Sequence, residues 1–255
     1  MIHAIKKSIA ILSLLAVVAC SNSADKPAAS TPAAAKTDTT KIVIGSMGAD
    51  SEIWRFIAKS PAAKEAGLDI EVKDINDGIT LNNATAEGQV DVNAFQSWAY
   101  FKTFNQTNGD KLAALATTYL EPMGLYSKTH KDLNALPQGA TVAIPNDTAN
   151  TSRALRLLEE AKLITLKADF DPVTGTVQDI TDNPKKLNIK LVQGASGPRV
   201  LGDVDLGAIG NTNALESGLN VTKDALFHEQ VGDRVLHNIN ILATKKDRVH
   251  DAALQ

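Results

Sequence analysis

Cysteine occurs once in the 255 residues, at Cys20. One thiol cannot build a disulfide framework, and its place near the start of the chain argues against a catalytic or metal-ligating role. The five histidines, His3, His130, His228, His237 and His250, lack metal-ligand spacing and form no His-rich stretch, so no metal is expected. There is no His-Glu-x-x-His, Cys-x-x-Cys, Gly-x-Ser-x-Gly or Gly-x-x-x-x-Gly-Lys-Ser/Thr run. That removes the common metalloprotease, thiol-redox, serine-hydrolase and nucleotide-loop chemistries. Gly45-Ser46-Met47-Gly48 before a helix could cradle phosphate, but no lysine follows it. Glu159 and Glu160 are adjacent, cannot face each other on a helix, and read as a solvated face. Basic patches interleaved with aromatics are missing and the net charge is −3, which argues against nucleic acid. Beyond the leader, no run approaches the length of a membrane span. The expectation is a protein that is not an enzyme and holds no cofactor.

What is present begins with that leader. His3, Lys6 and Lys7 give a short basic region, and Ile9 to Val18 is an apolar run too short to cross a bilayer. Small residues then lead into Cys20 through Val17-Val18-Ala19, which looks like a bacterial lipobox. Residues 1–19 are expected to be a lipoprotein signal peptide, and residues 20–40 a lipidated Cys20 with a flexible tether of Ala, Pro, Ser and Thr. Several acyl chains would hold such a protein stably where one would anchor it only marginally. The expected place is the bacterial cell envelope, lipid-anchored and facing the periplasm or the exterior. Ser21 leaves the choice of membrane open.

The remainder, about 215 residues, is long enough for a real core, and it says nearly the same thing twice. Lys41-Ile42-Val43-Ile44-Gly45 reads as a strand, Ser46 to Ser51 as a polar loop, and Ile53, Trp54, Phe56 and Ile57 as a helix. A second strand alternates over Leu68–Val72, a further helix ends at Gly88, and Val90 to Phe95 reads as a third strand. In the second half the strand is Thr141 to Ile144, followed by a polar loop and a helix. Leu187–Leu191 then alternates, and Gly202-Asp203-Val204-Asp205-Leu206 echoes Gly88-Gln89-Val90-Asp91-Val92. Strand, loop, helix, strand, helix and strand, twice, predicts an α/β protein of two similar lobes. The chain would cross near Tyr119–Tyr126 and near Leu236–Ala243. This gives one lobe from residues 41–122 plus 240–255 and another from 123–239, with strand-end loops facing a cleft. Pro and Gly in Glu121-Pro122-Met123-Gly124 fit a segment that changes lobes, and closure of paired lobes is a known way to sequester small molecules.

The stretch from Thr141 to Leu158 carries the chemistry. Val142, Ala143 and Ile144 form a strand that stops at Pro145, which has no N–H for a sheet ladder. Asn146 to Ser152 is rich in residues that cap helices, and Ala154, Leu155, Leu157 and Leu158 then recur at helical spacing. Arg153 therefore falls near the positive end of a helix, with no acid three or four residues away. It is either solvated or paired across the fold, or it joins free backbone N–H groups in an anion pocket. The second reading is favoured.

Glu-Pro-Met-Gly-Leu-Tyr-Ser (121–127), Ala-Ile-Pro-Asn-Asp-x-x-Asn-x-x-Arg (143–153) and Asp-Val-Asp-x-x-x-x-x-x-Thr (203–212), behind the lipobox and tether, resemble the methionine-binding lipoproteins, also called the NlpA family. The resemblance covers roughly residues 41–255. It implies a type II periplasmic-binding-protein fold, each lobe a mixed sheet flanked by helices. It also implies a monomeric substrate-binding protein that captures an amino-acid-like ligand and serves an ABC permease in the inner membrane. Carried over residue by residue, Arg153, Asn150 and Asn146 hold the ligand's carboxylate and amine, and Phe95 and Gln96 line the cleft from the other lobe. Two family rings that flank the methionine thioether are replaced here by Gly78 and Ser97, which implies a pocket for a larger or more polar side chain. Trp98 could supply a replacement face, and Asn211 and Asn213 a replacement amide. The short helix begun at Asp247, where the family continues, implies exposed apolar surface on the first lobe. The alternative is a lipoprotein that has lost small-ligand capture and acts as an interaction module of the cell envelope.

Overall fold

Alternating apolar side chains followed by a polar turn nucleate each half of the fold. In the computed structural model, which describes residues 39–255, the signal peptide read over residues 1–19, Cys20 and nearly all of the tether lie outside the described residues. Strand β1 (Thr40–Ser46) buries Ile42 and Ile44, and outward-facing Lys41 pairs with Glu71 on the neighbouring strand. Helices α1 (Gly48–Ala58) and α2 (Pro61–Glu65, capped by Ser60) lead to β2 (Leu68–Asp74). Then come α3 (Gly78–Ala86), β3 (Val92–Ser97), α4 (Trp98–Asn108) and β4 (Leu112–Leu120). The second half runs through β5 (Gly124–Tyr126), β6 (Thr141–Pro145), α5 (Thr148–Glu160), β7 (Thr165–Leu166), β8 (Ile180–Asp182) and β9 (Asn188–Val192). It continues with α6 (Gly197–Val200), β10 (Leu206–Ile209), α7 (Asn211–Glu216), α8 (Val221–Asp224) and β11 (Phe227–His228). The chain then returns as β12 (Ile239–Lys245).

These strands make two five-stranded mixed sheets, β2-β1-β3-β12-β4 and β11-β5-β10-β6-β9, while β7 and β8 pair separately. In the first, β1 lies parallel between β2 and β3, and β12 is antiparallel to β3 and β4. In the second, β6 lies parallel between β9 and β10, and β5 is antiparallel to β10. The repeat read from the sequence is thus a repeat of topology: β1, β2 and β3 match β6, β9 and β10. Residues 121–123 and 229–238 connect the two sheets.

Each sheet is covered by its helices. Ala154, Leu155, Leu157 and Leu158 of α5 pack on Val142, Ile144 and Leu206. Burying each such leucine is worth about 1.5–3 kcal/mol. The first sheet packs Trp54 of α1 against Ile42, Ile44 and Val92 on one face, and Phe101 and Phe104 of α4 near Ile241 and Ala243 on the other.

Several local expectations shift. The loop expected over Ser46–Ser51 is shorter, since α1 begins at Gly48. The Gly-Asp-Val-Asp run at 202–205 is a turn that feeds β10, because Asp205 accepts from the Thr141 backbone N–H (2.8 Å) and from His130 (2.9 Å). Strand β4 was not anticipated. The helix expected from Asp247 is a single 3-10 turn, Lys246–Arg248, fixed by Arg248 bonding Asp91 (2.5 Å) and Asp251 (2.9 Å).

Candidate functional site

The turns that follow β1, β3, β6, β9 and β10 open on a cavity of about 490 Å³ between the two sheets. Strand ends of open α/β sheets are where ligands bind, because backbone groups there are unpaired and helix N-termini point inward.

On the second-half wall, Asp147 caps α5 by accepting from the backbone N–H of Asn150 (2.9 Å). The Asn150 amide also donates to both Asp147 oxygens (3.1 Å), so much of its donor capacity is used locally. Burial pushes the Asp147 carboxyl above its ordinary value, while its hydrogen bonds and the Arg153 charge pull it back. Asn146, just before the cap, is exposed at the cavity.

Arg153 reaches the cavity one turn into α5 and is almost fully buried. It lines the cavity and is at the same time paired across the fold. Its Nε and Nη2 donate to the two oxygens of Glu229 at 2.8 and 2.6 Å, across 76 residues of sequence. Nη2 also donates to the Glu121 carbonyl (2.5 Å). Glu229 is itself held by the Met123 backbone N–H (2.8 Å) and Asn238 (3.1 Å). This cage fixes the plane of the guanidinium and leaves Nη1 without a hydrogen bond among the described residues.

The first-half wall is aromatic. Phe95 and Tyr100 pack edge to face with ring centroids 5.9 Å apart. Gly78, the first residue of α3, lies under them: a Cβ there would sit 2.7 Å from the Tyr100 hydroxyl and 3.0 Å from the Phe95 ring. The space expected to open at Gly78 is therefore already occupied, by the ring of Tyr100. Ser97 caps α4 by accepting from the Tyr100 backbone N–H (3.2 Å). Burial, with the charges of Asp147 and Asp77, holds the Tyr100 phenol well above its ordinary value, so it is a neutral hydroxyl. Gln96 lines the same wall, but its amide bonds Asn82 (2.8 and 3.0 Å) and Asn93 (2.7 Å) in a buried network. Trp98 is not among the lining residues. It is half-exposed, packs on Phe101 at 5.3 Å and lies under Lys102.

Where the halves meet, Glu121 accepts from Asn211 (2.9 Å), Asn240 (3.0 Å) and Thr212 (3.1 Å). Asn211 thus lines the cavity with its amide N–H turned toward Glu121, and Asn213 lines it beside Gly194. Arg153 and the acids Asp77, Glu121 and Asp147 line the same space. That set suits a small zwitterion, with its carboxylate on Arg153 and its ammonium on the acids. Among the described residues no group of three or more His, Cys, Asp or Glu side chains could hold a metal ion, and no helix is long and apolar enough to cross a membrane.

Tyr100, Glu121, Asp147 and Glu229 were not singled out as site residues from the sequence. Asp147 had a local signal, an Asp three residues before Asn150 at a strand-to-helix turn. Tyr100 had the Ser97 cap three residues earlier. For Glu229 no local signal exists.

A model of the NlpA lipoprotein family matches residues 42–255. Lipoprotein 28 of Escherichia coli (strain K12) is 39% identical over 213 residues, spanning 83% of this chain and 77% of the relative. A probable D-methionine-binding lipoprotein MetQ from Haemophilus influenzae is 36% identical over 247 residues, spanning 96% of this chain and 86% of the relative. Among solved structures, a periplasmic substrate-binding protein of an ABC transporter from Coxiella burnetii aligns with a TM-score of 0.77 at 38% identity, over 84% of this chain and 88% of that one. A nutrient-binding protein from Burkholderia cenocepacia bound to methionine aligns with a TM-score of 0.79 at 38% identity, with the same coverage of 84% and 88%.

Proposed function

The chain belongs to the NlpA lipoprotein family, and on that footing we propose that it captures a free amino acid, methionine or a close relative of it, between its two lobes. It is a substrate-binding protein of an ABC importer and not an enzyme. The observation that carries the ligand class is Arg153, caged by Glu229 with Nη1 left without a hydrogen bond among the described residues, at a cavity whose other charged lining residues are acids. The ligand's carboxylate meets Nη1 and the exposed Asn146, its ammonium meets the Asp147 and Glu121 side, and its side chain lies on Phe95 and Tyr100. A thioether gains up to about 1.5 kcal/mol from such ring contact. Residues 121–123 and 229–238 act as the hinge, and closure presents the loaded protein to a permease in the inner membrane. Lipidation of Cys20 holds the protein, as a monomer, to the envelope membrane that it serves.

A thermal-shift and calorimetric screen of free amino acids and dipeptides, including both methionine enantiomers, tests the reading. A ligand at a hundred times its Kd stabilises the folded state by about 2.7 kcal/mol, which a melting curve resolves. A clear upward shift with L- or D-methionine is the expected result. No shift with any amino acid or dipeptide would refute capture and favour a role in protein contacts at the envelope. Replacing Cys20 with Ala should release the protein from membranes in a fractionation.

A further inference from the structure

Behind the cavity, at the seam of the two halves, sits a carboxyl group that ligand binding does not use. Asp50, in the first turn of α1, is fully buried and accepts from the Tyr119 hydroxyl (2.9 Å). Its second oxygen lies 3.4 Å from the hydroxyl of Thr212, which belongs to α7 in the other half. The same Thr212 hydroxyl lies 3.1 Å from Glu121. One hydroxyl hydrogen cannot serve two carboxylates. Glu121 already accepts from Asn211 and Asn240, which suits an ionised group, so the missing hydrogen belongs on Asp50.

The charges around Asp50 agree. Glu121 faces it from the crossing and Glu216 from α7. Glu216 lies so close to the start of α1 that a Cβ on Gly48 (φ +53°) would meet its carboxylate at 2.3 Å. On its own helix, Arg55 turns to Glu52 and to Asp74 of β2. Arg153, the cation at this seam, is bonded to Glu229 and to the Glu121 backbone carbonyl rather than to any of these three carboxylates.

We propose that Asp50 is a proton-linked latch between the halves: neutral in the arrangement seen here, it donates to Thr212, which donates to Glu121, and it loses its proton to solvent when the halves part. The inference rests on the capture-by-closure reading above. Burial, followed by the Glu121 charge, pushes the Asp50 carboxyl up to about 7. With α7 withdrawn, Asp50 regains water and loses Glu216, and its affinity for a proton falls toward the ordinary carboxylate value. The closed state then binds one proton more than the open state between that ordinary value and about pH 7. Ligand affinity falls as pH rises through this window, by at most about tenfold per unit, and flattens above it.

Calorimetric titration of the full chain with L-methionine, near pH 6 and in buffers of different ionisation enthalpy, counts the protons taken up. Wild type should take up between about half a proton and one proton per ligand, and its affinity should drop at least about tenfold from pH 5 to pH 7. Asp50→Asn, which keeps the shape and cannot ionise, should take up none and lose that slope. Binding without proton uptake by wild type, or uptake unchanged in Asp50→Asn, overturns the latch and leaves capture intact. Absence of L-methionine binding at every pH overturns capture of methionine, and the latch with it.

Discussion

Removing Arg153 separates its two roles, because Nε and Nη2 are spent on Glu229 and the Glu121 carbonyl while Nη1 has no hydrogen bond among the described residues. Arg153→Met strands Glu229, which is only 5% exposed and keeps two donors, the Met123 N–H at 2.8 Å and Asn238 at 3.1 Å. Breaking a buried ion pair from one side costs about 3–5 kcal/mol. For a domain of this length each kcal/mol moves the melting point by about 2–4 °C, so a fall of roughly 6–20 °C is expected. Adding Glu229→Gln replaces the stranded charge with an amide that can still accept from Met123, and should restore most of that loss. Binding should not return. A charge-assisted hydrogen bond from Nη1 is worth about 1.5–3 kcal/mol, so the double variant should bind L-methionine about tenfold to a hundredfold more weakly than wild type by calorimetry. If the double variant folds well and binds within about threefold of wild type, Arg153 is structural and the ligand's carboxylate is held elsewhere.

Two further outcomes follow from the geometry. Gly78→Ala forces a methyl group to within 2.7 Å of the Tyr100 hydroxyl, and should lower the urea midpoint by the equivalent of about 1–3 kcal/mol; adding Tyr100→Phe, which removes that oxygen, should recover part of the loss. Asp205 is held below its ordinary pKa by His130 and the Thr141 N–H, so its contribution is present above the unfolded carboxylate value and lost as pH falls through the depressed folded one. Asp205→Asn should therefore melt lower than wild type near pH 7, with the gap closing in acid; a constant gap across the pH range would contradict this.

How much of this was visible in the chain itself depends on how local each cause is. β1 and β6 could be read because alternation and a capped polar turn are neighbours in sequence. The same holds for α5, where Pro145, Asp147 and the leucine spacing state the strand end, the cap and the buried face within a few turns. β4 was missed because Leu112-Ala-Ala-Leu-Ala-Thr-Thr-Tyr-Leu does not alternate: most of it is only half-buried beside β12. The Arg153–Glu229 pair was out of reach because nothing near either residue marks the other. Tyr100 was overlooked for a similar reason. Gly78 reads as a missing ring until α3 and α4 are placed together, and only then does the ring supplied from α4 become visible.

The placing of β12 has a consequence for how the molecule is made. It sits between β3 and β4, pairing Thr244 with Val92 on one side and with Ala113 on the other. A ribosome delivers β4 more than a hundred residues before the strand that joins it to its sheet. Until then β3 and β4 have no shared neighbour and expose unpaired edges, while the sheet built around β6 already has all its strands. The half encoded in the middle of the message can therefore fold first, and the half that starts the folded region is completed last. Such long-range pairing slows assembly and leaves apolar strand edges open to other chains. A nascent chain of this kind would gain from a chaperone's cover until the last strand arrives.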